Sequence, residues 1–238
     1  MVLKDNMEDF SQLEQIVGAK FKDYSQIKSA FIHRSYLNEH KNITEHNERL
    51  EFLGDAVLEL IVTEYLYLNF KESEGELTNW RSALVKRETL AHVARKIQIS
   101  QYIKLSKGED LSGGREKDYI LANTVEAFLG ALYFDSGYDV VKKFVIDNIL
   151  ILLKDILDSG LHIDAKSSFQ EQSQSIMGFT PEYRTVKEEG PDHEKIFTVG
   201  LFLEKEMISI GKGTSKQMAE QNAAEEGLKV KRWGKYRN

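Results

Sequence analysis

The sequence predicts an all-α domain followed by a small α+β domain of order α-β-β-β-α. Three observations carry that expectation. Apolar residues recur at the helical period almost continuously from residue 8 to residue 156. A polar break, "DSGLHIDAKS", interrupts the pattern at Gly160, after which the period changes to strand-like alternation. Only two prolines and no cysteines occur in 238 residues, so helices go largely unbroken and disulfides and thiolate metal sites are excluded.

Taken in order, "FSQLEQIV", "QIKSAFIHRSYL" and the long "NERLEFLGDAVLELIVTEYLYLNF" read as helices. So do "WRSALVKRETLAHVARKI", "ILANTVEAFLGALYF" and "VVKKFVIDNILILLKDIL". We expect this domain to span residues 8–157, with a linker at 158–164. A second domain at 165–232 opens with the helix "SSFQEQSQSIMG", which Gly178 stops. Three strands follow, "PEYRTVKEEG", "KIFTVGLFLE" and "EMISIGKG", then the Ala-rich helix "SKQMAEQNAAEEGLKV" and a basic tail at 233–238.

Composition is that of a globular protein, 41% hydrophobic and 29% charged. The net charge of −6 is unevenly spread. Residues 1–164 carry 20 Lys and Arg against 27 Asp and Glu, whereas residues 165–238 carry 12 against 11, so the second part alone is slightly basic. No apolar run approaches a membrane span, and "MVLKDNMEDFSQLEQ" has neither a signal-peptide nor a basic transit pattern; a soluble, cytoplasmic protein is expected.

One stretch departs from what a core helix requires. Glu48, Glu51 and Asp55 lie at spacings that put them on one helical face, and Glu59 extends the stripe. Leu50, Phe52, Leu53, Val57, Leu60 and Ile61 are expected to bury most of the remaining circumference. Such a stripe is either a solvated edge with ion pairs to neighbours such as Arg49, or a set of carboxylates awaiting a cation. A second helix favours the cation. Asn123 and Glu126 stand at i and i+3, followed by the small residues Ala127, Gly130 and Ala131, which permit close helix packing. Pressed together, the two helices would bring Glu51 and Asp55 opposite Asn123 and Glu126, an oxygen-rich pocket suited to Mg²⁺ or Mn²⁺.

These residues also carry a resemblance. "NERLEFLGDAVLEL" resembles the ribonuclease III signature E-R-L-E-F-L-G-D. "HRSYLNEH", "EGELTNWRSALVKRETLA" and "GGREKDYILANTVEAFLGALYFDSG" resemble the family's other segments, in the right order. The second domain resembles a double-stranded RNA-binding domain through "SSFQEQSQ", "EEGPDHEKIFTVGL" and "GKGTSKQMAEQNAAEEGL". The resemblance implies an all-α endonuclease domain followed by an RNA-binding one. It implies a homodimer, without membrane association, that hydrolyses double-stranded RNA with Mg²⁺, or Mn²⁺ in its place, to 5′-phosphate and 3′-hydroxyl ends. Ribosomal RNA precursors and structured messenger and transfer RNAs would be its substrates.

By the same resemblance Glu51, Asn123 and Glu126 would ligate metal, with Asp55 and Glu126 catalytic. Asn123 stands where most members have Asp, and a non-cleaving RNA-binding regulator is therefore the alternative. Glu48 and Glu74 would belong to the RNA-processing centre. Phe52 would be a dimer contact, although spacing alone makes it an ordinary core residue. His33 reads as a structural hydrogen-bonding residue. In the second domain Gln170, Glu171, Gln174, His193, Lys212, Thr214, Ser215 and Lys216 would bind RNA across its minor grooves and phosphates. Many members carry consecutive lysines where this chain has Thr214, Ser215, Lys216 and Gln217, which implies modest affinity.

Overall fold

The computed structural model describes residues 9–159, 165–191 and 195–236. The chain divides into two compact units, Met1–His162 and Ile163–Asn238.

In the first unit α1 is Ser11–Val17 and α2 is Tyr24–Ala30. The latter is started by the Asp23 carboxylate, which accepts from Ser25 N. A 3₁₀ turn, Arg34–Asn38, leads to the 22-residue α3, Glu48–Asn69. Helix α4, Glu74–Val85, begins with a capping box in which Ser73 and Glu76 satisfy each other's backbone N–H groups. The run "WRSALVKRETLAHVARKI" is not one helix. Lys86 is extended (φ −64°, ψ 153°) and separates α4 from α5, Arg87–Lys96. The Thr89 hydroxyl donates to the Ala83 carbonyl at 2.7 Å across the break, so a carbonyl left orphaned near the end of α4 is satisfied. The short α6, Lys107–Leu111, precedes the 19-residue α7, Asp118–Ser136. The segment "VVKKFVIDNILILLKDIL" likewise divides, into α8, Tyr138–Asn148, a 3₁₀ turn, Leu150–Leu152, and α9, Leu153–Ser159. Helix α9 thus runs two residues into the segment read as a linker, and residues 160–164 lie outside the described residues.

Helix α7 is the axis of this unit. Leu121, Val125, Phe128, Leu129 and Leu132 are fully buried, and α2, α3, α5 and α8 pack around them. Helix α3 buries Leu50, Val57, Leu58, Ile61, Val62 and Leu66 on one side only. Phe52 is 81% exposed and Leu60 is exposed as well, contrary to the expectation that both join the core. The 3.6-residue period puts them on the outer face, opposite the residues that meet α7.

In the second unit α10, Ala165–Met177, ends before Gly178, whose φ of 75° only glycine adopts freely. Strands β1, Glu182–Glu189, β2, Ile196–Leu203, and β3, Glu206–Gly213, form an antiparallel sheet in that order. Helix α11, Lys216–Lys231, lies so close to β3 that a Cβ on Gly211 would fall 2.1 Å from Ala223 N. The core is Phe169, Leu201, Leu203, Ala223, Ala224 and Leu228. Trp233 completes it, its ring 5.1 Å from that of Phe169, and Tyr236 donates to Glu225. The segment read as a basic tail is therefore partly structural: Trp233 is buried in the core and Tyr236 packs against it.

Candidate active site and nucleic-acid interface

The site in the first unit exists because α3 and α7 touch backbone to backbone. A Cβ built on Gly54 would lie 1.7 Å from the Glu126 carbonyl oxygen, and one on Gly130 would lie 2.2 Å from that of Leu50. Two glycines facing each other's helix remove the side chains that normally hold helices 8–10 Å apart. Gly130 is one of the small residues singled out above; Gly54, inside the motif itself, was missed. Its signal was a glycine in the middle of a long helix, where it is otherwise unfavourable.

This contact brings four oxygen-bearing side chains together. Asn123 Nδ2 donates to Glu51 Oε1 at 2.9 Å. Burial pushes the Glu51 carboxyl above its usual range, and the charges of Glu48 and Asp55 add to this, while the Asn123 hydrogen bond opposes it. Glu126 is pushed up to about 7, first by burial and then by the charges of Asp55 and Glu51. Arg87, at the start of α5, is the opposing cation; nothing in the sequence pattern pointed to it. Asp55 and Glu59 are exposed, at the open side of the stripe.

The donor chemistry, hard oxygen only, fits a divalent cation of the magnesium type. Among the described residues, however, no three His, Asp or Glu side chains converge into a ready-made cage. Glu51 Oε1 is held by the Asn123 amide, and the mutual repulsion of Glu51, Asp55 and Glu126 is what a bound cation would relieve.

Glu48 lies one turn before Glu51 on the same face of α3, whereas Glu74 lies on α4. Glu48 pairs with Arg34 at 3.2 Å and lies 3.9 Å from His46. Glu74, the first residue of α4, lines a groove of about 680 Å³ with Tyr67, Phe70 and Arg81. His33 caps the 3₁₀ turn, its Nδ1 2.8 Å from Ser35 Oγ, and burial lowers its pKa.

In the second unit Gln170, Glu171 and Gln174 are exposed along α10, with Gln174 donating to Thr180 Oγ1 at 3.4 Å. Lys212, Thr214, Ser215 and Lys216 are exposed where β3 meets α11. The Ser215 hydroxyl is committed to capping α11, accepting from Met218 N at 3.1 Å. His193 lies outside the described residues.

Comparison with known proteins agrees with both halves. A ribonuclease-III-like family matches residues 23–153, and a double-stranded RNA binding motif matches residues 165–231. The chain is 45% identical over 224 residues to Ribonuclease 3 of Enterococcus faecalis, covering 92% of this chain and 96% of that one. It is 40% identical over 239 residues to Ribonuclease 3 of Borreliella afzelii, covering 96% and 98%. A solved structure of the ribonuclease III nuclease domain from Campylobacter jejuni, described with reference to a region involved in its dimer formation, superposes with a TM-score of 0.55 at 37% identity. It covers 59% of this chain and 96% of that one. With its helical nuclease unit, its α-β-β-β-α unit and matches over nearly its whole length, the chain belongs to the ribonuclease III family, as a ribonuclease III enzyme whose partner is double-stranded RNA.

Proposed function

We propose that the enzyme cuts double-stranded RNA by divalent-metal-dependent hydrolysis of phosphodiesters, leaving 5′-phosphate and 3′-hydroxyl ends. Mg²⁺ is the working ion and Mn²⁺ a substitute. The observation that carries this reading is the α3–α7 cluster of Glu51, Asp55, Asn123 and Glu126, crowded enough that one carboxyl is pushed up to about 7. The cation, when bound, neutralises charge on the phosphate and lowers the pKa of water. Glu51 and Glu126 would hold it, with Asn123 contributing its side-chain oxygen. Asp55, exposed at the rim, would orient the attacking water.

The exposed apolar residues of α3, Phe52 near its start and Leu60, Tyr67 and Leu68 further along, support a homodimer in which Phe52 is a contact. Glu48 and Glu74 would then border the RNA-processing centre. Gln170, Glu171, Gln174, His193, Lys212, Thr214, Ser215 and Lys216 would hold the duplex. Ribosomal RNA precursors and other structured transcripts in the cytoplasm would be the substrates. Among the described residues no helix is long and apolar enough to cross a membrane.

The test is incubation of the full chain with long double-stranded RNA in EDTA, Mg²⁺ or Mn²⁺, with product ends analysed and the oligomer sized. Ion-dependent cutting by a dimer is expected. Binding without cutting at every ion concentration would favour the regulator reading, with Asn123 as its cause.

A further inference from the structure

The edge of the second unit where β1 and β2 meet α11 carries an acidic residue among its cations. Glu188 pairs in register with Phe197 across β1 and β2. Lys216, at the start of α11, sets its Nζ 3.1 Å from Glu188 Oε1 and 5.6 Å from the centre of the Phe197 ring. Lys195 Nζ lies 3.9 Å from the other Glu188 oxygen. One carboxylate thus stands between two ammonium groups. Both members of the Glu188–Lys216 pair remain accessible, with 39% and 57% of their side chains exposed.

We propose that Glu188 is an affinity-setting residue that competes with RNA phosphate for Lys216. The inference rests on the reading of Lys216 as a phosphate contact. A phosphate approaching that ammonium meets a second anion already bonded to it, well inside the screening length of about 8 Å at physiological salt. The Lys–Glu attraction must be given up, or the two anions must share the cation. Either route weakens RNA binding. Removing the carboxylate does not set Lys216 adrift, because the Phe197 ring still seats the ammonium. An exposed pair of this kind is a small effect, so its influence is on affinity and release rather than on folding.

Binding is measured with the full chain and a blunt RNA duplex of about 20 base pairs, longer than the span of one such domain. EDTA prevents cutting. The natural chain, Glu188→Gln, Lys216→Met and the double variant are titrated over a range of KCl concentrations. Glu188→Gln is expected to tighten binding about three- to fivefold at low salt, the size of a lost surface pairing. It should also steepen the salt dependence by about one counterion. Lys216→Met should weaken binding, and the double variant should match Lys216→Met alone. Unchanged or weaker binding by Glu188→Gln overturns the proposal. So does a double variant that keeps the gain, since Glu188 would then repel RNA without acting through Lys216. If Lys216→Met changes nothing, the phosphate reading of Lys216 itself fails, and the proposal with it.

Discussion

The α3–α7 seam and the β1–α11 edge handle charge in opposite ways. In the seam, the half-buried Glu51 and Glu126 lie beside the exposed Asp55 with Arg87 as the opposing cation, and Glu126 is driven up to about 7. At the edge, Glu188 has Lys216 and Lys195 around it, all three partly exposed to solvent. The difference teaches where each function can reside. Low-dielectric crowding makes a site that an incoming cation relieves, and suits chemistry. Screened, paired charges change affinity by small factors, and suit binding that must also let go.

Glu126→Gln tests the division most severely. Losing that charge should lower cleavage by about a thousandfold, or about 4 kcal/mol in the barrier. Duplex binding in EDTA should stay within about twofold, because the charges expected to meet RNA lie in the other unit. Cleavage and gel-shift assays on one preparation decide it; parallel loss of both would make Glu126 a structural residue.

Next in size is Gly54→Ala. Its methyl would fall 1.7 Å from the Glu126 carbonyl oxygen, so α3 and α7 must separate. The nuclease unit should lose roughly 3 kcal/mol of stability, the upper range for overpacking. Hydrogen exchange should find the second unit unaffected. Equal destabilisation of both units would show that they do not unfold independently.

A smaller effect follows from pH. The folded-state pKa of Glu126 is raised above its unfolded value of 4.5. Its contribution to stability is therefore fully present below about 4.5 and is lost as pH rises through about 7. In EDTA the nuclease unit should weaken by about 1–2 kcal/mol over that window, after allowance for solvent screening. Glu126→Gln should flatten the profile measured by urea unfolding. A profile of equal slope in both forms would locate the titration elsewhere.

The smallest change is expected from Asn123→Asp. It replaces the donor to Glu51 by a repelling carboxylate, so the metal-free protein should lose about 1 kcal/mol. The added charge should lower the Mg²⁺ concentration for half-maximal cleavage about three- to tenfold without moving the cut sites. A metal titration of both forms measures this, and an unchanged or higher Mg²⁺ requirement counts against Asn123 as a ligand.

By itself the sequence determined the order of elements. The change of apolar period after Gly160 separates the helical part from α-β-β-β-α, and Gly178 marks a helix end through its own conformational freedom. It also aligned Glu48, Glu51 and Asp55 on one face, since helical geometry requires only local spacing. The breaks at Lys86 and Ile149 were not legible, because apolar residues keep their period across a bend that only packing creates. Spacing alone also put Phe52 in the core; its outward turn depends on which face of α3 meets α7. The partners of Trp233 and Lys216 lie far away along the chain, on elements that folding alone brings beside them. Periodicity states which residues share a face; tertiary structure decides what that face meets, because close packing and charge pairing act across space and leave no local trace in the chain.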